Sequence, residues 1–219
     1  MTGLTQNTKN NIEEISKLSC VNDYTLIGGT ALSLQIGKRL SEDLDFCKWA
    51  TKLKKDKPTV DWYNIENELR TVGNIEKKDI LGFEHVNFIV NGVKLSFFAK
   101  QFNLSPLEKP VFILNNIIAA DIKSIGVMKL EVCLRRSEFR DYYDIYSILK
   151  EGVSLKELVL KAGKYSNHTL KTRDILHLLS NGSRFVPDKQ FELLQPVYKV
   201  SASDIEGYIK ERIIEEYPK

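Results

Sequence analysis

Residues 26–47 read LIGGTALSLQIGKRLSEDLDFC, and this stretch decides how the rest of the chain is understood. It joins a Gly28-Gly29-Thr30 turn to a pair of aspartates, Asp43 and Asp45. Tyr24-Thr25-Leu26-Ile27 ahead of the turn is a short β-prone run. The two glycines let the backbone take conformations closed to residues with a Cβ and let it come close to a ligand. Thr30 fits the N-cap of a helix over 31–40, whose apolar residues Ala31, Leu32, Ile36 and Leu40 recur at helical spacing. The first turn of such a helix carries unpaired N–H groups and the positive end of the helix dipole, a ready place for phosphate.

Residues 44–47, Leu-Asp-Phe-Cys, read as a second strand. Asp43 and Asp45 lie on or just before it. Alternation puts both side chains on one face, roughly 6–7 Å apart between Cα atoms at about 3.3 Å per residue, while Leu44 points to the core. Two carboxylates so placed can hold one or two Mg²⁺ ions, which take hard oxygen ligands and leave room for water and substrate phosphates. Alone, Gly-Gly-Thr is an ordinary strand-to-helix turn and Asp-Leu-Asp an ordinary surface sequence. Their order, strand, glycine turn, helix, acidic strand, is what points to a nucleoside triphosphate and a metal.

A second stretch, residues 128–145, reads MKLEVCLRRSEFRDYYDI. Asp121 fits the cap of a helix over 122–134, with Ile122, Ile125, Met128 and Val132 at helical intervals. Lys129 sits one step from that stripe, where it can border the core and still reach solvent with its amine. A further helix is expected over 140–150, with Asp141 and Asp144 three apart on one face. Lys129 could neutralise charge on a triphosphate, or form a structural ion pair with an aspartate of the next helix. Spacing alone leaves both open.

Together the two stretches, Gly-Gly-Thr-Ala-Leu … Arg-Leu-Ser-Glu-Asp-Leu-Asp-Phe and Lys129-Leu130 followed by Arg140-Asp141-x-x-Asp144-Ile145, resemble the AbiEii/AbiGii type of nucleotidyltransferase toxins, within the DNA polymerase β-like nucleotidyltransferase superfamily. The resemblance spans about residues 26–149, with gaps. It implies an Mg²⁺-dependent transfer of NMP from an NTP to an acceptor hydroxyl. Asp43 and Asp45 would be both catalytic and metal-binding, and Lys129 and Asp144 would complete the catalytic set. Gly28, Gly29, Thr30, Ser41 and Lys129 would hold the nucleotide, whereas Arg140 and Asp141 would serve as supports. It further implies the toxin of a type IV toxin–antitoxin or abortive-infection pair, an RNA acceptor such as the 3′ end of tRNA, and a separately encoded antitoxin partner.

One departure stands out. Superfamily members commonly carry a third carboxylate on a later strand, and in residues 92–98, GVKLSFF, the expected position holds Ser96. Either Asp144 completes the set, or the strand alignment is displaced, or the chain is a decayed nucleotide-binding or interaction module. Transfer to a protein or small-molecule acceptor is a further alternative.

The remaining sequence sets the frame. A chain of 219 residues with 42% hydrophobic content has ample core for one large or two small domains. No apolar run approaches the ~20 residues that cross a bilayer, and the first residues lack a basic start and apolar block, so a cytoplasmic location is expected. Cys20, Cys47 and Cys133 are scattered and read as buried thiols. The net charge of +3 neither demands nor excludes nucleic acid. Lys52, Lys54, Lys55 and Lys57 form a basic loop, and Arg135-Arg136 and 161–173, with Tyr165, His168 and Thr169 interleaved, add cations. Each reads as solvated surface or as a grip on an RNA backbone. His85, His168 and His177 share no metal spacing.

Helices are expected over 8–18 and 61–72 and strands over 76–81, 83–90, 93–99 and 111–114, with Asn91-Gly92 as a two-residue hairpin turn. After Asp121 the pattern is helical, with breaks near Gly152, Gly182-Ser183, Pro187 and Pro196. The fold class expected is α+β: a mixed-sheet nucleotidyltransferase-like core over 1–115 followed by a mostly helical domain over 116–219.

Overall fold

The computed structural model describes residues 2–50, 58–101, 105–166 and 170–218. The basic run at 52–57 and the residues His168 and Thr169 lie outside the described residues. The fold is α+β, and the chain forms two compact units, Met1–Asp121 and Ile122–Lys219.

The first unit is built on one seven-stranded mixed sheet in the order β3-β4-β5-β2-β1-β7-β6. Its strands are β1 (Thr25–Ile27), β2 (Leu44–Trp49), β3 (Ile75–Gly82), β4 (His85–Val90), β5 (Val93–Lys100), β6 (Val111–Leu114) and β7 (Ile117–Ala119). β1 pairs antiparallel with β2 and parallel with β7, and β2 pairs parallel with β5. One face alternates Leu26, Leu44, Phe46, Leu95, Phe97 and Phe88, all sealed from solvent. Phe97 stacks on Phe46 at 5.2 Å and meets Tyr24 edge-on at the same distance. The helices α1 (Gln6–Ile15) and α3 (Trp62–Val72) close that core with Ile12, Ile15, Ile65 and Leu69. Asp61 caps α3 by accepting the Asn64 N–H.

Asn91 and Gly92 turn β4 into β5 with φ of 48° and 72°, the paired left-handed conformation that suits a two-residue hairpin. That turn fixes the register Val90↔Val93, and hence Asn87↔Ser96 further along. A second left-handed residue, Asn115 (φ 46°), turns β6 into β7. The expected boundary at 115/116 falls inside this hairpin. β7 was not expected from sequence, being three residues long, yet it pairs with β1 and so stands with the sheet.

The second unit is helical: α4 (Ile122–Arg135), α5 (Phe139–Lys150), α6 (Leu155–Tyr165), α7 (Thr172–Leu179) and α8 (Ala202–Glu216), joined through short 3₁₀ turns at Gly182–Arg184 and Phe191–Leu194. α5 is its axis, with nine consecutive residues from Asp141 to Leu149 buried. Glu216 at the end of α8 accepts the Leu155 and Lys156 N–H groups and the Ser154 hydroxyl, so one carboxylate answers the open donors at the start of α6.

Candidate active site of the sheet unit

The strand-to-helix turn is tighter than its sequence suggests. The helix α2 (Gly28–Ile36) begins directly after β1, with Ile27 at its N-cap position. Thr30 is therefore not the cap. It lies in the first turn, where its buried hydroxyl donates to the Asp43 carbonyl and sits 2.8 Å from the Ser41 hydroxyl. A side chain engaged with the incoming acidic strand cannot also turn back to cap its own helix. The helix ends at Ile36, four residues short of the expected end at 40, and Gly37 caps it in the left-handed conformation at φ 61°.

Gly28 has φ 73°, a conformation costly for any residue with a Cβ. A Cβ built there would lie 2.8 Å from Asp45 Oδ2. The acid and the glycine turn thus share one place, because antiparallel pairing sets Asp45 opposite Ile27. Asp43 precedes the first residue of β2, and Asp43 and Asp45 are both half-buried around the sealed Leu44. Ser41 is held from outside by two backbone bonds: it donates its N–H to the Gly3 carbonyl at 2.9 Å, and its own carbonyl accepts the Thr5 N–H at 3.0 Å. Thr8 Oγ1 donates to the Glu42 carbonyl at 2.7 Å. The N-terminal segment therefore pins the approach to Asp43 and Asp45.

Arg39 had no role assigned from sequence. It is buried, its Nη1 donates to the Leu40 carbonyl at 2.8 Å, and its Nη2 lies 2.5 Å from where a Cβ on Gly29 would be. The guanidinium lies against the opening turn of α2 and would have to shift to admit a side chain at Gly29. No periodicity in the sequence signals that Arg39 of the Lys38-Arg39 pair turns in.

Parallel pairing of β2 with β5 places Ser96 beside Asp45. The β5 residue beside Asp45 is thus a serine and not a carboxylate. Among the described residues no group of three His, Cys, Asp or Glu side chains could hold a metal ion. The carboxylates of Asp43 and Asp45 remain as the donor set on this sheet. They are hard oxygen ligands beside a glycine with no side chain in the way, which suits an ion that keeps room for water and phosphates.

In the helical unit, Lys129 is buried and its amine lies 2.7 Å from both Asp141 and Asp144. The expectation that its amine reaches solvent is not met: helix α4 turns this position inward against α5. Arg136 adds a two-point contact to Asp141. Burial would raise the Asp141 carboxyl, but the Lys129 and Arg136 charges and their hydrogen bonds outweigh it and hold it below its ordinary value. Arg140 donates to Asp188 at 2.7 Å. Of the basic stretches, Arg135 pairs with Glu131 and Lys161 with Glu157. The three cysteines are buried, and burial pushes the Cys20 and Cys47 thiols up to about 12.

The family model described as nucleotidyl transferase AbiEii toxin, type IV TA system, matches residues 13–209. The chain belongs to the AbiEii nucleotidyltransferase toxin family. An uncharacterized protein of Aquifex aeolicus (strain VF5) is 33% identical over 165 residues, covering 71% of this chain and 73% of its own. A crystal structure of a Helicobacter pylori protein presented as a candidate nucleotidyltransferase superposes with a TM-score of 0.55 at 18% identity, over 97% of each chain. That likeness supports the fold, and the family match supports the activity. This AbiEii member is a nucleotidyltransferase, and its family implies an NTP as substrate and an antitoxin as partner. No helix among the described residues is long and apolar enough to cross a membrane.

Proposed function

We propose that this AbiEii member is an Mg²⁺-dependent nucleotidyltransferase that moves NMP from an NTP onto a hydroxyl of RNA, the 3′ end of tRNA, and that it acts in the cytoplasm as a toxin held in check by its antitoxin. The observation that carries this reading is the Asp45 carboxylate set against the left-handed Gly28 at the head of α2. Gly28, Gly29 and Thr30 offer backbone N–H groups to the phosphates. Ser41, tied to Thr30, borders the same turn. Asp43 and Asp45 are the residues that would hold magnesium, which supplies charge neutralisation for the triphosphate and the displaced oxygen. The acceptor hydroxyl gives up its proton to solvent as its oxygen bonds the α-phosphorus, the bond to the bridging oxygen breaks, and pyrophosphate leaves. For Lys129 and Asp144 we keep the place in the catalytic set that the resemblance implies. Their mutual ion pair would fix the amine in position.

Ser96 in the Asp45 row supports a second reading, a decayed module that binds nucleotide without turnover. One experiment separates the two. The protein is incubated with Mg²⁺, each labelled NTP in turn, and total tRNA or total protein. Label in tRNA is the result expected. Label in protein bands moves the acceptor, and NTP binding with no label anywhere selects the module.

A further inference from the structure

Ser96 carries more than a missing acid. It is 2% exposed, and its hydroxyl makes no hydrogen bond among the described residues. A hydroxyl with no protein partner keeps both its donor and its acceptor capacity for a ligand. Unlike the sealed, partnerless hydroxyls of Tyr24, Tyr142 and Tyr217, it retains contact with solvent. On one side its backbone neighbour is Asp45 and on the other Asn87. In adjacent strands such neighbours stand about 4.8 Å apart with side chains on the same face. Asn87 Oδ1 is engaged by His85 Nε2 at 2.9 Å, and the His85 ring lies against Phe98 at 4.3 Å. With its oxygen occupied, Asn87 has its NH₂ group left to offer. Lys94, exposed, lies two residues before Ser96 on the same face.

We propose that Ser96 and Asn87 hold the acceptor, and that the group they grasp is the terminal ribose cis-diol of an RNA 3′ end. This rests on the reading of Asp43 and Asp45 as the site of transfer. A diol presents two hydroxyls to two side chains on neighbouring strands. The Ser96 hydroxyl both donates and accepts, and the Asn87 amide donates. Lys94 faces the phosphate on the 5′ side of the terminal sugar. A protein hydroxyl would bring a single oxygen and no phosphate. Ser96 is then a binding residue that sets the acceptor beside Asp45, where a carboxylate would instead repel the phosphate next to it.

The test is equilibrium binding of deacylated total tRNA, intact or with its 3′ diol destroyed by periodate, to wild type, Ser96→Ala and Asn87→Ala, without NTP. Wild type is expected to prefer intact tRNA by roughly tenfold, the worth of about two hydrogen bonds. Each variant should narrow that preference to about threefold while binding oxidised tRNA and NTP as wild type does. Retained binding of oxidised tRNA also shows the variants folded. Wild type that binds both tRNAs alike, that binds neither, or that loses affinity for both equally on substitution overturns the proposal. Because binding is read rather than turnover, a protein that discriminates the diol but transfers nothing sinks the catalytic reading alone. A protein that labels tRNA without discriminating the diol sinks this one alone.

Discussion

Gly28→Ala tests whether the glycine turn and Asp45 act as one site, and Gly37→Ala is its internal control. Both glycines are left-handed, at φ 73° and 61°. Alanine in that region costs ~1–2 kcal/mol in either place. The surroundings differ. A Cβ at Gly37 meets nothing within 4 Å, whereas one at Gly28 lies 2.8 Å from Asp45 Oδ2. The carboxylate must rotate off its rotamer to relieve that contact, a further ~0.5–1.5 kcal/mol. At about 4 °C per kcal/mol for a unit of this size, thermal unfolding should fall by roughly 4–8 °C for Gly37→Ala and by a few degrees more for Gly28→Ala. Activity should separate the two far more sharply. Misplacing a metal-holding acid by about 1 Å costs on the order of 10²-fold, so Gly28→Ala should lose that much kcat in the labelled-NTP assay. Gly37→Ala should keep nearly wild-type kcat at a temperature where both are folded. Full activity in Gly28→Ala, or an equal loss in both variants, would refute the coupling of this turn to Asp45.

Other outcomes follow from the same geometry. Asp43→Ala and Asp45→Ala should each abolish transfer yet leave the circular dichroism spectrum and melting temperature within about a kcal/mol of wild type, since both acids are half-exposed. Lys129→Met strands Asp141 and Asp144 without their shared cation, and should destabilise by ~3–5 kcal/mol in urea unfolding. Adding Asp144→Asn should recover part of that loss. Asp141 is held below its ordinary value of 3.8, so the stability it contributes is present above that pH and drains as the pH falls through its lower folded value. Melting temperature should stay flat from pH 7 to about 5 and drop below about pH 4, and a drop already complete at pH 6 would contradict this assignment. With the thiols buried and those of Cys20 and Cys47 pushed up to about 12, none of the cysteines should react with a thiol reagent at pH 8 until the protein is unfolded.

What the sequence made legible here was local. Gly-Gly-Thr followed by Asp-x-Asp announced a turn beside an acidic strand because both signals lie within one short segment and need no long-range pairing. Asn91-Gly92 fixed a hairpin, and counting back from it would have paired Asn87 with Ser96 before any coordinates. The pairing of β2 with β5 is a different matter: parallel register is set by packing between distant segments, so nothing local in the sequence seats Ser96 beside Asp45. Thr30 misled because a threonine after two glycines has the chemistry of a cap, and only the returning strand reveals that Asp43 and Ser41 claim its hydroxyl. Lys129 is ambiguous in sequence for a different reason. Its position beside an apolar stripe allows either an exposed or a buried amine, and two aspartates on α5 pull it in. Three-residue β7 and inward-turned Arg39 carry no periodic signal at all.

In the proposed function Asp43 and Asp45 hold a metal-bound triphosphate against the Gly28 turn. The most direct measurement is a count of bound Mn²⁺ by electron paramagnetic resonance, with and without a non-hydrolysable NTP analogue, for wild type, Asp43→Asn and Asp45→Asn. Wild type is expected to bind Mn²⁺ tightly in a manner that depends on the analogue, and both variants are expected to lose it. Equal Mn²⁺ binding in wild type and variants, or analogue binding that is indifferent to the metal, would contradict that function.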